Sequence, residues 1–256
     1  MTRDTRIAWF LMRELVAALR ANDSDLFKRW LSELGGATWS PQADLQPSCG
    51  ASRDTEAKRI GYPLSDAQIL HLLGNLPAGE VHDRWRFAIQ LCAVYELRPK
   101  ELRHLVIKDG VSGAELWTTY QKSMGGTKAA KTEPRRLRPL LLRDADGTAI
   151  NGDLQARLQV CEQLPPLNRD GDGGQALNQY LPRRKVWMAL RVDAKQKGEQ
   201  LTPYSFRHRY AKGMHAANIP IANISEAMGH TIEVHLKSYA RFKPNATADL
   251  VAAVNA

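Results

Sequence analysis

The sequence has little cysteine and no long hydrophobic run. Its three cysteines, Cys49, Cys92 and Cys161, are widely spaced and have no histidine at the spacing of a metal site. An odd, scattered set of this kind predicts neither a disulfide framework nor a metal centre, and it is typical of the reducing cytoplasm. No segment approaches the roughly 18 apolar residues that a membrane span needs, and the charged N-terminal residues do not match a secretory signal. We therefore expect a cytoplasmic protein with no metal, cofactor or membrane partner.

Acidic residues are fewer than basic ones. The 256 residues include 36 lysines and arginines against 27 aspartates and glutamates, which leaves a net charge of +9. This imbalance favours a polyanionic partner, with nucleic acid first and a membrane surface second. Hydrophobic residues make up 43% of the chain, enough for a packed core.

Composition predicts a boundary near the N-terminus. Apolar residues recur at helical spacing over 6–21 and 24–34, and Gly35 and Gly36 end the second helix. The stretch after them has Pro41, Pro47 and Gly50 but no period, as linkers do. We predict a short helical module over 1–50, a linker over 51–63 and a larger domain over 64–256.

The larger domain is predicted to be mostly helical. Ser65 with Gln68 forms a capping-box pattern, and Pro99 suits the first turn of a helix over 97–105. Strand formers over 115–120 and 136–142 flank a Gly125–Gly126 turn and predict one small antiparallel sheet. The other predicted helices cover 84–95, 151–164, 179–195, 205–217, 221–228, 234–240 and 247–254. The predicted fold class is α+β, mainly α.

Arginine, histidine and tyrosine recur in a characteristic order. Leu97-Arg98-Pro-Lys-Glu101-Leu102 comes first, and Tyr204-Ser-Phe-Arg207, Met228-Gly-His230 and Tyr239 follow. His230 lies 23 residues after Arg207, and Tyr239 lies nine after His230. Each motif alone is a weak signal, but the order and the two spacings together are specific.

This set, over roughly residues 64–242, resembles the tyrosine recombinases, the phage-integrase type of DNA breaking and rejoining enzyme. The resemblance implies a helical catalytic domain that acts on double-stranded DNA as a site-specific recombinase or integrase. It also implies a covalent 3'-phosphotyrosyl intermediate, a homotetramer on DNA during synapsis, a nucleoid location and no cofactor. The implied catalytic residues are Arg98, Lys131, Tyr204, Arg207, His230 and Tyr239.

The lysine has three candidates beside the predicted turn, Lys122, Lys128 and Lys131. The family's hairpin places its lysine eight residues before a Pro-Leu pair, and Lys131 lies eight residues before Pro139. Lys131 therefore resembles the family's general acid, with Lys128 second. At least two of the three are solvated turn residues or phosphate contacts.

The chemistry explains these residue types. A phosphodiester repels nucleophiles, and charge builds on its non-bridging oxygens in the transition state. Arg98 and Arg207 can offer bidentate donors there and stay charged. Tyr239 would attack phosphorus, and Lys131 would protonate the departing 5' oxygen. The phosphotyrosyl ester retains the bond energy, so rejoining needs no ATP.

Taken singly, these residues have structural interpretations. Arg98 is also an ordinary helix-end cation, and His230 an ordinary loop histidine. Tyr239 alone is more often a buried aromatic on an amphipathic helix. Glu101 is expected to support an arginine, and His208 to pack away from Arg207, because adjacent helical residues face different directions.

Two departures from the family leave other functions open. Tyr204 stands where the family usually has histidine, and a phenol donates a hydrogen bond but is a poorer proton acceptor. The N-terminal module is also shorter than the family's core-binding domain. A DNA-binding protein of this fold with impaired catalysis is therefore one alternative, and a type IB topoisomerase-like activity is another.

Basic residues form two further clusters that could contact phosphates or simply be solvated. One surrounds the predicted hairpin and the other precedes the Trp187 helix. Their members are Arg135, Arg136, Arg138 and Arg143, and Arg183, Arg184 and Lys185.

Overall fold

The computed structural model describes residues 60–111, 113–122, 132–167 and 173–242, together with Ala252. They fall in one compact unit that begins at Arg59. Several predictions lie outside the described residues: the module over 1–50, most of the linker, the Gly125–Gly126 turn and nearly all of the helix over 247–254.

Helices make up most of the described chain. The α-helices are α1 (Asp66–Gly74), α2 (Glu80–Val94), α3 (Leu154–Gln159), α4 (Gly173–Tyr180), α5 (Lys185–Gln196), α6 (Ser205–Ala216), α7 (Ile221–Met228) and α8 (Ile232–Tyr239). Short 3-10 helices cover Pro99–His104, Leu181–Arg183 and Ala240–Phe242. None of the helices in the described part is long and apolar enough to cross a membrane.

In the described ranges the strands are short and form three separate sheets rather than the one antiparallel sheet that the sequence predicts. They are β1 (Ile60–Gly61), β2 (Leu105–Gly110), β3 (Gly113–Thr118), β4 (Arg135–Arg136), β5 (Leu142–Arg143), β6 (Ala149–Ile150) and β7 (Glu199–Gln200). β2, β3 and β4 form an antiparallel sheet in that order, in which Leu105 faces Thr118 and Trp117 faces Arg136. β5 pairs antiparallel with β6, and β1 pairs parallel with β7.

The predicted α+β, mainly α class is confirmed, and so are several element boundaries. The Ser65 hydroxyl accepts from the Gln68 backbone amide at 3.2 Å, and the Ser65 amide donates to the Gln68 side chain at 2.9 Å. This closed capping box begins α1. Helix α7 has the predicted bounds, and α6 ends one residue earlier than predicted.

Prolines explain where the prediction was wrong. Residues 97–105 form only the 3-10 helix that starts at Pro99, and β2 follows it without having been predicted. Pro139 has no amide to donate, so the predicted strand over 136–142 is divided between β4 and β5. The helix predicted over 179–195 is interrupted near Pro182: its first two residues end α4, a 3-10 helix covers Leu181–Arg183, and α5 begins at Lys185.

The hydrophobic core has two clusters. The larger lies around α2, whose Phe87, Ile89 and Leu91 are fully buried. The smaller joins α6, α7 and α8, and its buried members are Tyr210, Ala211, Ile224, Met228 and Tyr239. The second cluster thus brings together the elements that carry the C-terminal motifs.

Candidate active site

The Arg98 side chain is held by the helix turn that follows it. Its Nη1 donates to Glu101 Oε1 at 2.7 Å, and its backbone amide donates to Glu101 Oε2 at 2.7 Å. Glu101 therefore supports an arginine, as predicted. Nη2 reaches the carbonyl oxygen of Gly229 at 3.0 Å and that of Met228 at 3.5 Å. The first arginine motif thus contacts the Met-Gly-His motif directly.

Arg207 reaches the same place from α6. Only 2% of it is exposed, and its guanidinium donates to the carbonyl oxygens of Glu96 and Met228. The second of these carbonyls is also contacted by Arg98. Burial lowers the pKa of Arg207, and the neighbouring Arg98 lowers it further. Two guanidiniums therefore converge on one backbone oxygen at the end of α7.

The convergence depends on Gly229, which ends α7. Its φ of +61° is left-handed, a conformation that glycine adopts without strain. A Cβ there would lie 2.6 Å from Cδ of Arg135. The glycine of the Met-Gly-His motif is thus required both by backbone conformation and by the side chain packed against it.

Arg135 joins two buried carboxylates beneath the pair. It forms an ion pair with Glu96, another at 2.8 Å with Glu101, and a hydrogen bond to the Ala227 carbonyl oxygen at 2.8 Å. Burial alone would raise the pKa of Glu101, but the surrounding guanidiniums outweigh it and lower that pKa. Burial raises the pKa of Glu96, whose Oε2 has no hydrogen-bond partner among the described groups.

The charges in this cluster do not cancel. Three guanidiniums, those of Arg98, Arg135 and Arg207, face two carboxylates, so at least one positive charge remains. Because burial raises the pKa of Glu96, protonation of this carboxylate on acidification would enlarge the excess. A buried excess of this sign favours binding of an anion.

Tyr239 lies beside this cluster at the end of α8. Its ring stacks on His230 with centroids 5.8 Å apart and planes 13° from parallel. The His208 ring lies 5.5 Å away, and the His235 ring 5.0 Å away. Nδ1 of His230 lies 3.4 Å from Nη2 of Arg207. The tyrosine is 6% exposed, so its ring is enclosed by aromatic side chains.

Tyr204 stands at the entrance to α6 and is 45% exposed. Partial burial raises the pKa of its phenol, and Arg98 and Arg207 oppose that shift. The hydroxyl is therefore protonated near neutral pH and lies within the field of both arginines. Such a group can donate a hydrogen bond to an anion but is a poor base.

The structure thus brings together five predicted site residues, Arg98, Tyr204, Arg207, His230 and Tyr239. Lys128 and Lys131 lie outside the described residues. Lys122 is exposed, and its backbone pairs with Thr132 through hydrogen bonds of 2.9 and 3.0 Å.

Sequence reasoning misjudged or missed other groups here. Arg135 was assigned to phosphate contact, but it is largely buried and bound to carboxylates, because Glu96 and Glu101 lie directly beside it. Glu96 and His235 were not singled out. His235 precedes Tyr239 by four residues, a spacing that places both on one helix face and could have indicated it.

The basic residues of the two predicted clusters include some that contact other side chains and some that are exposed. Arg136 pairs with Glu115, and the Arg184 guanidinium stacks over the Tyr180 ring at 4.7 Å. Arg138, Arg183 and Lys185 are exposed and are suited to phosphate contact. Within the described ranges, no group of histidine, cysteine and acidic side chains could hold a metal ion.

Comparison with known proteins gives distant similarities, and no protein-family model matches the chain. Excisase A of Nostoc sp. strain PCC 7120 is 26% identical over 176 residues, which are 66% of this chain and 34% of that protein. The chain therefore spans about a third of the length of this curated relative.

Solved structures give similarities of the same kind. The Tn1549 transposon integrase in complex with transposon right end DNA is 16% identical, with a TM-score of 0.47 over 99% of this chain and 93% of that chain. XerH site-specific recombinase bound to palindromic difH substrate is 15% identical, with a TM-score of 0.46 over 79% and 54%. These relatives are named as an excisase, an integrase and a recombinase, and the motifs of this chain resemble those of the tyrosine recombinase family.

Proposed function

We propose that this protein cuts and rejoins DNA as a tyrosine-type site-specific recombinase or integrase. The observation that carries the proposal is the convergence of Arg98 and Arg207 on the Met228 carbonyl, with His230 stacked on Tyr239 beside them. The similarity to proteins named excisase, integrase and recombinase agrees with it. Double-stranded DNA is the proposed partner, with a tetramer of this chain at synapsis, in the nucleoid of the cytoplasm.

The residual positive charge of the cluster supports a phosphodiester as the substrate. A scissile phosphate would exchange the backbone carbonyls for its own oxygens as acceptors of Arg98 and Arg207. Because guanidinium donors are planar and paired, each can bind two oxygens as negative charge develops on them. The Glu101 carboxylate would hold Arg98 in place during this exchange.

The reaction is a transesterification at phosphorus. Once the phosphate has replaced His230 Nδ1 as an acceptor of Arg207, the hydroxyl oxygen of Tyr239 forms a bond to phosphorus, its proton passes to Nδ1 of His230, and the bond to the 5' oxygen breaks. Lys131 protonates that oxygen. Burial lowers the pKa of His230 to about 3, with Arg207 as the next cause, so the imidazole is neutral and has a lone pair on Nδ1, which accepts from Arg207 until phosphate binds. A bound phosphate would raise that pKa by opposing the arginine charge.

A second candidate function is DNA binding without cleavage. Arg207 and Tyr239 are 2% and 6% exposed, so a phosphate reaches them only after neighbouring side chains move. The replacement of the family's histidine by Tyr204 favours the same alternative.

A nicked suicide duplex separates the two functions, because cleavage releases a short strand and traps the covalent protein-DNA adduct. We expect the wild-type protein to form an adduct that survives denaturing electrophoresis. Tyr239→Phe should form none and should bind the duplex nearly as well, since it removes one oxygen and no cation.

Tyr210→Phe is the matched control, because Tyr210 is buried in the same apolar cluster. It should form the adduct. Salt-sensitive binding without any adduct from the wild-type protein would support the second candidate. An adduct from Tyr239→Phe would contradict the assignment of the nucleophile.

A further inference from the structure

Three histidines form a continuous hydrogen-bonded row that starts at the candidate site. Nε2 of His230 lies 2.9 Å from Nδ1 of His235, and Nε2 of His235 lies 2.9 Å from Nε2 of His215. His230 precedes α8, His235 lies within α8, and His215 lies in the last turn of α6. The row therefore joins two helices and the loop that follows α7.

Arg207 sets the direction of every hydrogen bond in the row. A guanidinium only donates, so Nδ1 of His230, 3.4 Å from Nη2 of Arg207, accepts and carries no proton. The His230 proton is then on Nε2 and is donated to Nδ1 of His235. His235 in turn carries its proton on Nε2 and donates it to His215.

The reverse order would place two donors against each other. With a proton on Nδ1, His230 would direct an N–H at Arg207, and its Nε2 would need a donor from His235. One buried polar group would then lack a partner, which is unfavourable. Arg207 on one side of His230 and the accepting nitrogen of His235 on the other together favour this single order.

Burial keeps the row uncharged. His235 is fully buried and His215 is 4% exposed. Burial lowers the pKa of His235 to about 4, with His215 and Arg207 as further causes, and burial also lowers the pKa of His215. All three imidazoles are thus neutral at pH 7, each with one proton and one lone pair.

We propose that His235 and His215 are positioning residues that hold His230 as the Nε2–H tautomer, with its Nδ1 lone pair directed to the Arg207 side of the site. This role rests on the proposed function, in which Nδ1 takes the proton of Tyr239. In that step the bound phosphate has replaced His230 as an acceptor of Arg207, so the new Nδ1–H of the imidazolium no longer faces a guanidinium donor. The Nε2–H of the imidazolium stays bound to His235, and the orientation of the ring does not change.

A neutral imidazole suits this position better than a carboxylate. In serine hydrolases a buried carboxylate orients the catalytic histidine. A third carboxylate here would cancel the positive charge that the arginines of this cluster keep for the phosphate. His235 orients its neighbour by a hydrogen bond alone and leaves the charge of the cluster intact.

Two substitutions at His235 separate its two hydrogen bonds. His235→Asn keeps an acceptor near the position of Nδ1, facing His230, whereas His235→Gln keeps a donor near the position of Nε2, facing His215. Imidazole nitrogen NMR shifts of the free protein at pH 7 report the tautomer of His230. We expect the Nε2–H form in the wild type and in His235→Asn, and a mixture of tautomers in His235→Gln.

The rate of adduct formation on the suicide duplex should follow the tautomer. We expect His235→Gln to be slower than wild type by about tenfold or more, as for other residues that orient a functional histidine. His235→Asn should lie within about threefold of the wild type. His71→Gln, which changes an exposed histidine of α1, is the control for both measurements.

At His215, glutamine preserves the acceptor for His235 and asparagine does not, so His215→Asn should be the slower variant. An Nδ1–H tautomer of His230 in the wild type would overturn the proposal, and so would equal rates for His235→Asn and His235→Gln. A wild-type protein with the expected tautomer and no adduct would overturn the proposed function and the catalytic role of the row, but not the order of its hydrogen bonds.

Discussion

Helix α6 carries two buried arginines only two residues apart, Arg207 and Arg209, and they are held in different ways. Arg209 binds both oxygens of Asp66, at 2.7 and 2.9 Å, and three backbone carbonyl oxygens. Arg207 binds two backbone carbonyl oxygens and approaches His230, and it forms no ion pair with any described residue. The first guanidinium is neutralised by a carboxylate of its own, and the second is not.

The difference separates structural from functional charge. Arg209, which binds both oxygens of Asp66, links α6 to the start of α1 and has little attraction left for another anion. An arginine bound to carbonyls keeps its full charge, and an incoming phosphate can replace those weaker acceptors. Burial alone therefore does not distinguish the two arginines of α6, whereas their partners do.

The strongest test exchanges each arginine for lysine. Arg207→Lys should slow adduct formation by about a hundredfold to a thousandfold, since an ammonium cannot make the paired contacts that stabilise the transition state. The rate on the suicide duplex and the DNA affinity are measured together, and the affinity should fall far less than the rate.

Arg209→Lys is the matched control on the same helix. It should lower the free energy of unfolding by about 1–3 kcal/mol, because part of a buried ion pair is lost. Its folded fraction should form the adduct within about threefold of the wild-type rate. Equal losses of cleavage in both variants would remove the distinction between the two arginines.

Lys131 is the residue proposed to protonate the departing 5' oxygen, a role that neither arginine of α6 can fill. Lys131→Ala should cleave a natural duplex at least about a hundredfold more slowly, because the general acid is missing. A 5'-bridging phosphorothiolate has a leaving group of much lower pKa that needs no proton, so it should restore the rate. Rescue of Lys128→Ala instead would assign the acid to Lys128.

Tyr204 tests whether a neutral donor supplements the two guanidiniums. Tyr204→Phe should slow adduct formation by about tenfold or more, since one donor to the phosphate is lost. Tyr204→His should retain activity and acquire a pH dependence near neutrality, because imidazole titrates near 6.5. Tyr180→Phe removes a hydroxyl that contacts His82 at 3.0 Å and serves as the control. Unchanged cleavage by Tyr204→Phe would leave Tyr204 with a packing role.

Stability against pH gives the smallest expected effect. Because the pKa values of His230 and His235 fall to about 3 and 4 in the folded protein, the unfolded chain binds more protons below pH 6.5. The free energy of unfolding should therefore decrease from pH 6.5 downward, by up to about 1.4 kcal/mol per pH unit for each histidine. Glu96 acts in the opposite sense, since burial raises its pKa.

The measurement is the urea midpoint at pH 7, 6 and 5 for the wild type and His235→Asn. Removing one buried histidine should make the decrease shallower, and the contribution of Glu96 cancels in the comparison. His71→Gln should follow the wild type. Parallel curves for the wild type and His235→Asn would contradict the lowered pKa of His235.

Local chemistry made much of the fold predictable. The capping box of Ser65 and Gln68 needs only two side chains and their own backbone, and it begins α1 as expected. Strand β2, which was not predicted, depends instead on pairing with β3. The six-residue 3-10 helix directly before it made the predicted helix extend to residue 105.

The candidate site was predictable in its members and not in their partners. Arg98, Arg207, His230 and Tyr239 could be selected because the order and spacing of their motifs can be read directly from the sequence. Arg135 was misassigned because its carboxylates come from 34 and 39 residues earlier in the chain, and no local pattern reports such an encounter.

Strand β1 pairs in parallel with β7, and its Gly61 also lies beside α6 and beside the segment that follows α8. Arg241, two residues after Tyr239, donates to the Gly61 carbonyl oxygen and to a glutamate of β7, and a Cβ on Gly61 would collide with the His208 ring. A fragment begun at residue 64, the boundary that the sequence predicts, would lose this strand and the contacts that it makes with the segment after Tyr239. Recombinant versions of the catalytic unit should therefore start upstream of Ile60.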